Sequence, residues 1–310
     1  MTAFCTGRVA VVTGGGRGIG REHSLMLAQH GAKVVVNDLG GSLSGEGVNG
    51  GAAASVVQEI LAAGGEACTD DNDIATHAGA ELLIDGAIRT FGSLDILINN
   101  AGILRDRTLV NMEESEWDEV IRVHLKGTYG PSHFAARYWQ GEAKAGRPRQ
   151  ARIINTTSPS GIYGKFGQAN YGAAKAGIAA LTVISAKELG RYGVTVNALA
   201  PVAYTRMTQG GVLDELSLED RQLVSPRYVA AVACWLASTE SDGITGRVFD
   251  ISGRKLSVVD GWHRGPTLDH PSAQPEELGA DISALVQKAR PNASMDGFDE
   301  RLGSDSSVLA

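Results

Sequence analysis

Three cysteines, at positions 5, 68 and 234, are all the thiols in a chain of 310 residues. They are odd in number and far apart, which excludes a disulfide framework and fits reduced thiols in a cytoplasmic protein. No run of about eighteen apolar residues exists, so no bilayer span is expected. The first residues, MTAFCTGRVAVVTGG, enter a strand without the pattern of a secretory signal. Basic residues are in deficit: 28 Lys and Arg against 35 Asp and Glu leave a formal charge of −7. Without a basic face, neither nucleic acid nor a membrane surface is an expected partner. Metal-binding spacing is missing too. There is no Cys pair at zinc-finger spacing and no His-Glu-x-x-His helix, and the seven His are dispersed, so no metal is expected.

What remains is ordinary globular composition, 43% hydrophobic and 20% charged, with forty glycines concentrated at turns. The length suits one large α/β domain or two small ones. Strand and helix patterns alternate. Strands are predicted over 8–13, 33–37, 66–69, 94–98, 195–199 and 248–251, with another opening at Ile153, and helices over 52–63, 76–91, 114–140 and 226–237. A glycine-rich loop after Asp38 is longer than usual, and GEAKAGRPRQ reads as a solvated basic loop. Such repeated units build a parallel sheet with helices on both faces, a doubly wound α/β fold of about seven strands. Beyond Leu256 the pattern stops, apart from a short helix over 275–289. No repeat and no second core is visible, so the organisation read here is one domain over 1–256 with an extension over 257–310. That extension is left open as packed on the domain, packed on a partner subunit, or partly disordered.

Chemistry concentrates between Ile153 and Lys175. Tyr171 and Lys175 lie four apart on a predicted helix and leave the same face. An ammonium beside a phenol favours the phenolate and is expected to lower its pKa, making Tyr171 a usable acid or base. Ser158 could hydrogen-bond the same substrate oxygen. Upstream, TGGGRGIG places Gly14, Gly18 and Gly20 between a strand and a helix, where the backbone can approach a pyrophosphate. Asp38 ends the second strand. A carboxylate there accepts ribose hydroxyls and repels a 2′-phosphate, which selects NAD over NADP.

Together, TGGGRGIG, Asn99-Asn100-Ala101-Gly102, Ser158, and the Tyr171 and Lys175 pair resemble the short-chain dehydrogenase/reductase family over roughly residues 6–253. The resemblance implies a Rossmann fold with strand order 3-2-1-4-5-6-7 and catalytic Ser158, Tyr171 and Lys175. It assigns the cofactor to Gly14, Arg17, Gly18, Ile19 and Gly20 at the pyrophosphate, Asp38 at the adenosine ribose, and Asp73 and Ile74 at the adenine. Asn99, Asn100, Ala101 and Gly102 are expected in the cleft, Tyr171 and Lys175 at the nicotinamide ribose, and Thr205 at the carboxamide. Two departures stand out. His124 occupies the site of a common relay Asn and either replaces it or packs. Val202 replaces a usual Gly and is expected to restrict the nicotinamide loop.

Within the family, NDLGG, AGILRDRT, VHLKG and SGIYGKFGQANY resemble the (3R)-hydroxyacyl-CoA dehydrogenase part of peroxisomal multifunctional β-oxidation enzymes. This implies hydride transfer between NAD and a (3R)-hydroxyacyl-CoA in fatty-acid or sterol side-chain breakdown, by a free-standing enzyme whose final SSVLA is no peroxisomal address. Alternatives are a 3-ketoacyl thioester or 17β-type hydroxysteroid enzyme, or a non-catalytic NAD-binding protein. Arg105 and Arg107 are candidates to meet CoA phosphates. A homodimer or homotetramer is implied, with Val120, Val123, Ile178, Leu181 and Ile184 supplying its apolar faces.

Overall fold

A computed structural model describes residues 3–47, 51–208 and 212–299. The closing SSVLA lies outside the described residues. β1 (Val9–Thr13), α1 (Gly18–Gln29), β2 (Lys33–Asn37), α2 (Gly51–Ala62), β3 (Glu66–Asp70), α3 (His77–Phe91) and β4 (Ile96–Asn99) form the first half. α4 (Glu114–Ile121), α5 (Gly127–Lys144), β5 (Ala151–Thr156), α6 (Ala169–Leu189) and β6 (Val194–Val202) follow. α7 (Leu218–Leu223), α8 (Pro226–Ala237), β7 (Val248–Ser252), β8 (Lys255–Val258) and α9 (Pro275–Lys288) complete the chain.

The strands form one sheet in the order β3-β2-β1-β4-β5-β6-β7-β8, parallel except for the antiparallel β7–β8 pair. This is a Rossmann fold. β1, β4 and β5 are buried along their whole length, as apolar runs covered on both faces should be. Side chains divide by strict alternation. Ala10, Val12, Val34, Ile98 and Ile154 join α1, α2 and α8 in one core, while Val11, Val35, Leu97, Ile153 and Val196 join α3 and α5 in the other. Trp139 closes the second core, its indole N–H donating to the Leu94 carbonyl at 2.8 Å.

Three features differ from the pattern read in the sequence. The predicted helix over 114–140 is interrupted by a π turn at Arg122–Lys126 and runs on to Lys144, where Arg147 and Arg149 pair with Glu142. An eighth strand crosses the boundary set at 256. It follows a two-residue hairpin in which Gly253, at φ 56, would bring a Cβ to 2.2 Å from the Leu223 carbonyl oxygen. Finally, Val120 and Ile178, expected at a subunit interface, are buried within the chain. Ile184, also expected there, is exposed, and the other exposed large apolar residues of α4, α5 and α6 are Trp117, Tyr129 and Val183. Among the described residues no helix is long and apolar enough to cross a membrane.

Candidate active site

Between β1 and β4 the strand order reverses, and a cleft of about 970 Å³ opens above their carboxyl ends, the place where open α/β sheets take ligands. Thr13 ends β1, and its Oγ1 accepts the N–H groups of Asn100 at 3.0 Å and Ala101 at 3.2 Å. The Asn100 amide returns two bonds, to the Thr13 and Gly14 carbonyls. Gly14, at φ 62, would place a Cβ 2.8 Å from Ala101 Cα, so both conformation and space demand glycine. Arg17, the residue before α1, offers the helix no side-chain cap. The first-turn amides therefore suit an anionic pyrophosphate, and Gly14, Gly18 and Ile19 line the cleft beside them. Gly20, expected as a cofactor contact, does not line it. It lies buried beneath, where a Cβ would meet the Gly14 carbonyl oxygen at 2.0 Å. Its absent side chain lets the helix pack on the turn. Asn99 is likewise below the cleft, donating to Ser132 and to Asn155, both at 2.9 Å.

Asp38 stands at the cleft wall with each carboxylate oxygen fixed, Oδ2 by the Gly16 N–H at 2.9 Å and Oδ1 by the Gly40 N–H at 2.7 Å. Arg17 reaches across to the Gly41 carbonyl at 3.1 Å, bracing the loop. Asp73 and Ile74 follow β3 and line the same half. Sequence reasoning missed what holds Asp73: Arg122 donates to it at 2.8 Å while gripping Glu119 with two further bonds. This keeps the Glu119 carboxyl below its ordinary range. The two carboxylates lie 46 residues apart in sequence, and no local pattern announces their shared partner. Across the cleft, Thr205 Cγ2 would lie 3.5 Å from a Cβ on Gly18. Val202 brings no strain there. It sits in β6, paired with Ser252, in backbone that needs no left-handed residue.

On the other half, Ser158 lies two residues past β5, its Oγ accepting the Ser160 N–H at 3.2 Å. Lys175 is buried one turn after Tyr171; its Nζ donates to the Thr156 carbonyl at 2.6 Å and lies 5.5 Å from the centre of the Tyr171 ring. Burial pushes the Tyr171 phenol up to about 12, against a lowering hydrogen bond with Ser158, and Asp106 adds to the rise. Burial also pushes Lys175 down to about 7. The expected lowering of the phenol by Lys175 is thus overturned: desolvation disfavours both charged forms, so the phenol is protonated near neutrality. His124 sits in the π turn, its ring edge-on to Tyr171 at 5.1 Å and its Nε2 2.8 Å from the Ile103 carbonyl oxygen. Burial, helped by the Lys175 charge, lowers it to about 3, so the ring is neutral; it lines the cleft, and its Nδ1 is buried with no hydrogen-bond partner among the described residues. A Cβ on Gly102 would fall 2.3 Å from that ring, which explains the glycine.

Arg105 and Arg107 do not line the cleft. Arg105 Nε donates to the Ser44 carbonyl at 3.0 Å, and Arg107 faces Glu116 at 3.4 Å. The residue between them, Asp106, does line it, and accepts from Gln168 at 2.6 Å.

A profile of the short chain dehydrogenases matches residues 8–214. The chain is 40% identical over 308 residues to hydroxyacyl-CoA dehydrogenase ChsB1 of Mycobacterium tuberculosis, covering 96% of this chain and 94% of that one. It is 45% identical over 271 residues to peroxisomal multifunctional enzyme type 2 of Drosophila melanogaster, covering 86% of this chain but 43% of that protein. It therefore spans less than half of that relative. A solved structure of a short chain dehydrogenase from Mycobacterium avium matches with a TM-score of 0.84 at 48% identity, covering 94% of this chain and 98% of that one.

Proposed function

Since the chain belongs to the short chain dehydrogenase family, we propose that it moves a hydride between NAD and the 3-hydroxyl carbon of a (3R)-hydroxyacyl-CoA. The family and the Rossmann fold make it an oxidoreductase acting on CH–OH with a nicotinamide cofactor. Relatives named as hydroxyacyl-CoA dehydrogenase and peroxisomal multifunctional enzyme support the substrate class, in fatty-acid or sterol side-chain breakdown. The observation that carries the reading is the convergence of Ser158, Tyr171 and Lys175 on one cleft with Asp38 at its far wall.

A nicotinamide cofactor held by Gly18, Ile19, Asp38 and Lys175 would supply the hydride acceptor for oxidation of the alcohol carbon and the hydride donor for reduction of the ketone. Tyr171 exchanges the proton with the substrate oxygen, and Ser158 holds that oxygen by a hydrogen bond. Lys175 is the residue to hold the nicotinamide ribose. With its phenol protonated, Tyr171 is ready to donate to a ketone; oxidation of the alcohol requires the phenolate and should accelerate as pH rises. Asp38 selects NAD, because its fixed carboxylate accepts ribose hydroxyls and repels a 2′-phosphate. The reading includes one dehydrogenase domain with a C-terminal extension, in a cytoplasmic homodimer or homotetramer.

The test is turnover of (3R)- and (3S)-3-hydroxybutyryl-CoA with NAD and NADP. Only the (3R) substrate should react, with NAD favoured by about tenfold or more in kcat/KM, and Asp38→Ala should narrow that gap. Turnover of the (3S) substrate, or of a free steroid alcohol in place of both, would overturn the substrate class.

A further inference from the structure

A thioester carrying a nucleotide tail needs a group at the cleft mouth to hold that tail, and Arg105 and Arg107 are engaged elsewhere. Lys165 is not. It lines the cleft together with Ser158, Gln168 and Tyr171, is exposed, and has no ion-pair partner among the described residues. Its neighbour Phe166 is 87% exposed. The pair forms a tip between Gly164 and Gly167, whose φ values of 82° and 79° are left-handed, and a Cβ on either glycine would meet nothing within 4 Å. Left-handed glycines on both sides turn this short segment away from the body of the fold. An ammonium that lines the end of the cleft where Tyr171 acts is thus followed at once in the chain by an exposed aromatic ring.

We infer that the Lys165-Phe166 tip holds the nucleotide end of the CoA substrate, Lys165 meeting a phosphate and Phe166 stacking on the adenine. The assignment rests on the acyl-CoA reading above. A compact ammonium suits a phosphate, and an aromatic face is a general platform for a base. Binding energy gathered at the tip, remote from the reacting carbon, would be expressed in kcat/KM.

The experiment compares reduction of acetoacetyl-CoA with that of acetoacetyl-pantetheine, which lacks the nucleotide, in the parent and in Lys165→Ala and Phe166→Ala. The parent should favour the CoA thioester, and each substitution should cut that preference by about fivefold or more. Both side chains are exposed, so melting temperature should stay at the parent value. A parent preference that survives both substitutions overturns the tip assignment and leaves the acyl-CoA reading standing. A parent without any preference overturns the acyl-CoA reading and the tip with it. If Phe166→Ala changes the oligomeric state while the preference holds, the tip is a subunit contact and the assignment fails.

Discussion

Tyr171 and Lys175 sit one helical turn apart, and burial moves their protons in opposite directions. Tyr171→Phe should abolish turnover while leaving NAD affinity within a few fold, since most lining residues of the cofactor half lie elsewhere; steady-state rates and NAD titration check this. Turnover above about a tenth of the parent rate would remove the phenol from the mechanism. Lys175 carries a stability consequence. Its ordinary value of 10.5 falls to about 7 in the fold, so between those values the unfolded chain binds more protons than the folded one. Stability contributed by this site therefore rises with pH across the window, by at most about 1.4 kcal/mol per pH unit, and the penalty is full below it. Denaturant titrations across that window should show the rise in the parent and a flatter line in Lys175→Met. Equal slopes would mean that the lysine is solvated.

At the scale of elements, glycines that look alike in sequence separate by what surrounds them. Gly20→Ala drives a Cβ to 2.0 Å from a backbone oxygen, whereas Gly141, inside α5, has open space around it. The first substitution should destabilise the chain by about 2 kcal/mol or more and weaken cofactor binding. The second should be neutral or stabilising by up to about 1 kcal/mol. Thermal melts and NAD titration distinguish them. The strands were legible because their alternating sides and fully apolar runs are written locally: Val11 and Val12 reach opposite cores by parity alone. β8 was not legible, because it is only four residues long and, although Leu256 and Val258 alternate with Lys255 and Ser257, all four are exposed. The π turn was hidden for another reason. One widened turn leaves the composition of a helix unchanged, and the partners that His124 meets from it, Tyr171 and Gly102, lie on other elements. The directions of the Tyr171 and Lys175 shifts were hidden likewise, since spacing shows the partner but not the depth of burial.

At the scale of the whole molecule, Trp117, Tyr129, Val183 and Ile184 leave an apolar surface on α4, α5 and α6. Light scattering should give a multiple of 32.4 kDa, and Ile184→Glu should shift the particle toward one chain; a parent that is already a single chain at micromolar concentration contradicts the assembly. The sheet order has a further consequence, for how the molecule is made. β1 stays without its inner neighbour until β4 has been synthesised, and the bond from the Val9 N–H to Asp95 spans 86 residues. Closing so long a loop is entropically unfavourable, and gain from the contact arrives only afterwards. β8, in contrast, needs only a two-residue turn after β7. On the ribosome, then, the floor of the cleft is a late product of the N-terminal half, and a nascent chain ending before residue 96 would emerge with β1 exposed along one edge, open to wrong partners.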